Sequence, residues 1–247
     1  MEGSPRPSPQ QLPAGRGRHN LSREQVMRSQ RERMLEAMID TVADQGYNAT
    51  TVVDVARRAG VARRTFYEHF GDKESCFLAA HDWLLERLAS YAAPAYERPG
   101  PWPTRVRRGL AAVLTAIAYR PEGARLAIIE ILAAGPRAHR RHLAAIDAFV
   151  PYIDQGRTET PLGSALPPNL ARIVAGSVAA RIHEQVATGH TSELRRLHPE
   201  LLYLVLLPYL GHQRAHGEMH KAVERIGTAR GSVGGRRQTA TAPRYEP

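Results

Sequence analysis

The chain has 247 residues, 43% of them hydrophobic and 23% charged, which is the balance of a globular protein with a sizeable core. Several classes are disfavoured at once: no apolar run approaches the roughly 18–20 residues that cross a bilayer, the Pro- and Arg-rich start lacks the apolar stretch of a secretory signal, and a single cysteine, Cys76, excludes an intramolecular disulfide. The net charge of +10 favours a polyanionic partner such as nucleic acid, although the excess sits in the ends, with seven basic against three acidic residues in both 1–33 and 214–247.

In chain order, residues 1–20 lack apolar periodicity and are expected to be a disordered basic extension, and residues 228–247 a disordered tail. Residues 16–33 carry enough arginine to form a basic arm or an extra helix, with Arg16 and Arg18 placed like the minor-groove arms of other DNA-binding domains. Ser29 and Glu32 read as a capping box, after which Met34, Leu35, Met38, Ile39 and Val42 share one helical face until Gly46. Thr51 and Asp54 repeat the capping signature for a short second helix with Val52, Val55 and Ala56 buried, and Gly60 ends it. A third helix from about Ala62 to Phe70 turns Phe66 and Phe70 inward, before Gly71 and Asp72 break it and cap the next. Two short helices about a glycine turn are a helix-turn-helix.

The outward side of the third helix is polar and partly cationic: Arg63, Arg64, Thr65, Tyr67, Glu68 and His69 surround the buried Phe66. Such a helix suits the major groove, where arginine grips guanine bidentately, threonine meets a thymine methyl or a phosphate, and tyrosine and histidine bond phosphates. Lys73 adds a charge at the start of the fourth helix, beside free backbone N–H groups.

The segment TTVVDVARRAGVARRTFYEHFGDKESCFLAA, residues 50–80, closely resembles the DNA-binding region of the TetR family, with Thr51, Gly60, Val61, Thr65, Tyr67, Phe70, Lys73 and Glu74 at the diagnostic positions. That resemblance implies phosphate contacts from Thr51, Tyr67, His69 and Lys73, and an approach to base edges by Arg63, Arg64 and Thr65. Ala62 departs from the pattern, standing where the family usually has a capping serine, a loss of about 1 kcal/mol of capping.

Beyond residue 75 the helical pattern continues and is broken by PGPWP (99–103), PEG (121–123), GPR (135–137) and TPLGSALPP (160–168), so the expected fold is all-α. Residues 21–75 would form the DNA-binding domain and 76–227 a ligand-binding and dimerisation domain. Residues 167–190 and 199–211 are apolar helices, the second nearly all round, and the family resemblance implies that they build a four-helix dimer interface; Val178, Ile182, Val186, Leu202, Val205 and Tyr209 are the candidates. Trp83, Tyr119, Leu126, Ile129, Glu130, Phe149 and Ile153 are candidates for a small-molecule cavity, apolar with a polar anchor. His212, His216 and His220, one turn apart, read as a solvated face, as do His139 and His142, so no metal or other cofactor is expected. Cys76, beside Phe77 and Leu78, reads as a buried structural thiol.

No nucleophile elbow, Walker loop, H-E-x-x-H or dinucleotide fingerprint is present, so an enzyme is not expected. The reading is a cytoplasmic homodimeric regulator, a repressor released from a palindromic double-stranded DNA operator by a small-molecule effector, with no membrane partner. The alternative is a DNA-binding dimer without a small-molecule switch.

Overall fold

The computed structural model describes residues 22–234, and the expected N-terminal extension with Arg16 and Arg18 lies outside them, as do residues 235–247. Within them the chain is helical without strands: α1 (Arg23–Ala49), α2 (Val52–Ala59), α3 (Arg63–His69), α4 (Lys73–Glu97), α5 (Trp102–Tyr119), α6 (Pro121–Ala124), α7 (Pro136–Asp147), α8 (Val150–Asp154), α9 (Gly156–Glu159), α10 (Leu170–Ala187) and α11 (His198–Gly234). A π-helical turn, Arg125–Ile129, and a 3-10 turn, Glu130–Leu132, follow α6 directly. No helix among the described residues is long and apolar enough to cross a membrane.

Two boundaries differ from the sequence reading. The first helix is capped at Ser22, not Ser29, because Ser22 and Gln25 form a reciprocal capping box two turns earlier. The last helix breaks at Gly211 and then resumes to Gly234, seven residues into the stretch expected to be tail. Its second half is held by buried Ala215 and Ala222, and by Glu218, which pairs at 3.1 Å with the buried Arg107 of α5.

Three cores organise the molecule. The first joins Met34, Met38, Ile39, Val55, Phe66, Phe70 and Phe77 to Leu126, Ile131 and Ala138, so the core of α1–α3 is closed by residues from the π-helical turn, the 3-10 turn after it and α7. The second gathers Trp102, Ile153, Val174, Leu202, Val205 and Tyr209. The third packs Leu114, Ile182, Val186, Leu194 and Leu201.

Candidate nucleic-acid interface

The reading head is built by local chemistry. Thr51 Oγ1 accepts the Asp54 N–H at 3.2 Å while Asp54 accepts both the Thr51 N–H and its hydroxyl, the latter at 2.6 Å, which completes the N-terminal cap of α2. These bonds, the hydroxyl of Thr51 foremost, hold the Asp54 carboxyl below the usual carboxylate range. At the other end Gly60 adopts φ 64°, a left-handed geometry costly for a residue with a Cβ, and Arg33 donates to the terminal carbonyl of Ala59 at 2.9 Å. The turn lets Phe66 and Phe70 stack at 5.5 Å under α3.

With Phe66 buried, Arg63, Arg64, Tyr67 and Glu68 are exposed and Thr65 is half-buried. Arg63 reaches the Tyr67 hydroxyl at 3.4 Å and lies over its ring at 5.6 Å, an arrangement that pre-orders both side chains. Arg64 pairs one turn along with Glu68 at 3.3 Å yet remains 91% exposed, so a stronger acceptor can draw it away. Ala62 makes no side-chain cap, as its residue type dictates.

Three expected phosphate contacts are engaged within the fold. The Thr51 donors close the α2 cap. His69 Nε2 lies 3.5 Å from Gln30 Oε1, and burial together with the Arg31 cation lowers its pKa, so the ring is neutral near pH 7. Lys73 Nζ donates to the Tyr47 carbonyl at 2.9 Å and sits 4.2 Å above the Tyr47 ring, and burial lowers its pKa. Tyr47, which the sequence did not single out, thereby anchors the start of α4 to the end of α1.

The seven residues expected to line a ligand cavity are not brought together. Leu126 is fully buried in the first core, where Trp83 also packs, while Ile129 packs on the third core and Ile153 lies in the second. Tyr119 is 89% exposed, and Phe149 is half-buried. Glu130 has another job: its Oε2 accepts the Tyr47 N–H at 2.9 Å, at the point where Gly46 (φ 81°) bends α1, and its Oε1 pairs with Arg125 at 3.3 Å. The guanidinium groups of Arg87 and Arg120 lie 4.8 and 5.6 Å from the Trp83 ring, and Arg120 pairs with Glu36 of α1 at 2.5 Å. These contacts join the reading head to the rest of the chain. Two open clefts of about 410 and 430 Å³ lie elsewhere, one along Arg33, Asp40 and Arg58, the other along Trp102, Thr160, Leu210 and Arg214.

The six interface candidates are likewise engaged inside one protomer. Leu202, Val205 and Tyr209 pack in the second core, with the Tyr209 ring 4.9 Å from Trp102; Ile182 and Val186 are buried in the third core; Val178 is half-buried between the two. A helix apolar all round has more than one buried face, and its fully buried side chains face its own chain. Ile173 of α10 is 63% exposed, while Leu204 and Leu207 of α11 are half-buried against the third and second cores.

His212, His216 and His220 stack along the exposed side of α11 with centroids 5.6 and 4.4 Å apart, and no group of three His, Cys, Asp or Glu among the described residues is placed to hold a metal ion. Cys76 is fully buried, which pushes its thiol up to about 12.

Residues 35–80 match the family described as "Bacterial regulatory proteins, tetR family". The HTH-type transcriptional activator FasR of Mycolicibacterium smegmatis is 29% identical over 96 residues, 39% of this chain and 44% of that protein, and the matched stretches span less than half the length of the curated relatives. Among solved structures, the fatty acid degradation regulator FadR of Bacillus halodurans superposes with a TM-score of 0.65 at 17% identity, covering 72% of this chain and 94% of the other. FadR of Bacillus subtilis, solved in complex with stearoyl-CoA, gives 0.63 at 17% identity, covering 72% and 98%. The all-helical architecture is the one those structures share, and residues 35–80, which carry the helix-turn-helix, match the DNA-binding region of the tetR family of bacterial regulatory proteins.

Proposed function

We propose that this protein is a sequence-specific, ligand-responsive DNA-binding regulator that acts as a homodimer on a palindromic operator and, as a repressor, is released from it by a small molecule. The observation that carries the reading is the exposed Arg63–Arg64–Tyr67 surface of α3, held rigid by the buried Phe66 and the Gly60 turn. Such a surface has the shape and donors to enter a major groove, and a two-fold protein reads a two-fold site. Arg63, Arg64 and Thr65 would meet base edges and Tyr67 a phosphate, while Thr51, His69 and Lys73 would reach phosphates only by exchanging their present partners.

The likeness to a regulator solved with stearoyl-CoA makes an acyl-CoA thioester the effector class to test first. A second reading, a DNA-binding dimer without a switch, is favoured by the scatter of the cavity candidates, with Trp83, Leu126, Ile129 and Ile153 spread over three cores and Tyr119 on the surface. Selection of random double-stranded DNA by the purified protein, repeated with Arg63→Ala and Arg64→Ala, tests the first step. An inverted repeat that both substitutions weaken supports it, and absence of enrichment refutes it. Release of the selected duplex on addition of acyl-CoAs of graded length separates the two readings.

A further inference from the structure

The first three turns of α1 project beyond the body of the reading head. Residues 22–33 are exposed except for half-buried Met27 and Gln30, yet they are helical from a complete capping box, with the Ser22 N–H donating to Gln25 Oε1 at 2.8 Å and the Gln25 N–H to Ser22 Oγ at 3.2 Å. Extension of an already nucleated helix needs little packing, so the overhang persists as a stiff rod of about 16 Å. Its base is fastened to the end of the recognition helix: Gln30 meets His69 at 3.5 Å, and Arg31 lies 4.6 Å over the Phe70 ring.

The helical register fixes what the rod presents. The buried Met34, Met38 and Val42 mark the inner face of α1. Counting back at about 100° per residue places Met27, Glu24 and Arg31 on the continuation of that face, with Arg23 and Arg28 about 70° to either side and Gln25 and Ser29 behind. The charge is uneven as well, four arginines against two glutamates over residues 23–33. Arg33 is held by the Ala59 carbonyl and Arg31 by Phe70. Arg23 and Arg28 are exposed and take part in no hydrogen bond or ion pair among the described residues, although Glu24 and Glu32 each lie one helical turn from Arg28.

We propose that this overhang is a second DNA-contacting element, laid across the sugar-phosphate backbone beside the groove occupied by α3, with Arg23 and Arg28 as its phosphate-binding side chains. The proposal rests on the reading of α3 as the DNA-reading helix. Two free guanidinium groups on a rod anchored to the end of α3 straddle the strand flanking the groove, and they add charge without reading sequence. Glu24 on the same side sets a short repulsive term against them, which keeps the contact to the two arginines.

The test uses full-length protein and the duplex selected by the wild type, with dissociation constants measured by fluorescence anisotropy from 50 to 300 mM NaCl. Each phosphate contact contributes about 0.9 to the slope of log K against log salt, so Arg23→Ala/Arg28→Ala should lower the slope by about two and weaken binding at least tenfold at low salt. The selected sequence should stay the same, and hydroxyl-radical protection should be lost at the outer edge of each half-site. Arg195→Ala/Arg196→Ala, on the remote 3-10 turn before α11, removes the same charge and should leave the slope within about 0.5 of wild type. An unchanged slope in the Arg23/Arg28 variant, while Arg63→Ala and Arg64→Ala still weaken the selected repeat, overturns this proposal alone. A changed base preference at the flanks overturns the assignment to backbone phosphates, and failure of the wild type to select any sequence overturns the reading of α3 with it.

Discussion

Glu130 offers the sharpest test of how the reading head is held. Its side chain is 12% exposed, and its Oε2 is the acceptor for the Tyr47 N–H at the bend of α1, across 83 residues of sequence. Truncation in Glu130→Ala removes a charge-assisted hydrogen bond and leaves that N–H without its acceptor, which costs about 1.5–3 kcal/mol. The Arg125 pair adds little, because its guanidinium is 54% exposed and screened by water. Glu130→Gln keeps an acceptor oxygen without the charge and should cost about half as much. Urea unfolding at one fixed protein concentration, with the slope unchanged, gives both values. A loss below about 0.5 kcal/mol for the alanine variant would show that the bend in α1 is held by packing alone, and a glutamine variant as damaged as alanine would show that charge, not the acceptor, holds it.

Further outcomes follow from burial and close approach. Burial, helped by the nearby His142 and Arg141 and opposed by Asp82, lowers the pKa of His81, which is 1% exposed, and burial also lowers those of His142 and His198. The unfolded chain therefore binds more protons, so stability is complete above the ordinary histidine value of about 6.5 and falls below it, by up to about 1.4 kcal/mol per pH unit for His81. His81→Phe should flatten the urea midpoint between pH 7.5 and 5, and an unchanged pH profile would exclude His81 as the source. Cys76, with its thiol pushed up to about 12, should resist a disulfide reagent at pH 8 until the protein unfolds, and rapid labelling of the folded chain would contradict its burial. A Cβ on Gly156 would come within 2.7 Å of the Trp102 ring and 2.8 Å of Tyr209, so Gly156→Ala should cost about 1–3 kcal/mol in chemical denaturation, whereas a neutral result would mean that the aromatic pair shifts freely. Trp83→Ala should reduce the effector response in an operator-release titration more than it changes operator affinity, since Trp83 reaches α1 through Arg120, and an unaltered response would remove it from that coupling.

What was legible in the sequence was local. The Thr51–Asp54 cap, the Gly60 turn and the inward Phe66 and Phe70 each depend on neighbours within a few residues, and each is where the sequence placed it. The first helix begins two turns before Ser29, at the Ser22–Gln25 capping box, and the sequence reading missed it because it started the helix where the apolar stripe from Met34 begins. Glu130 looked like a polar anchor in an apolar stretch, and nothing near it in sequence marked the Tyr47 N–H as its partner. The interface candidates meet another limit: apolar periodicity reports that a face is covered, not whether the cover is the same chain or a second copy. The π-helical turn at Arg125–Ile129 left no pattern to read, because it is a local change of hydrogen-bond register.

Because Leu126, Ile131 and Ala138 close the floor beneath Phe66 and Phe77, the reading head is not a portable cassette. A chimaera that grafts residues 21–75 onto the body of another regulator would expose part of that floor or meet side chains of the wrong volume. Domain exchange in this scaffold would have to carry the stretch from Leu126 to Ala138 along with the head, so the unit of inheritance for DNA specificity is discontinuous in sequence although it is contiguous in space.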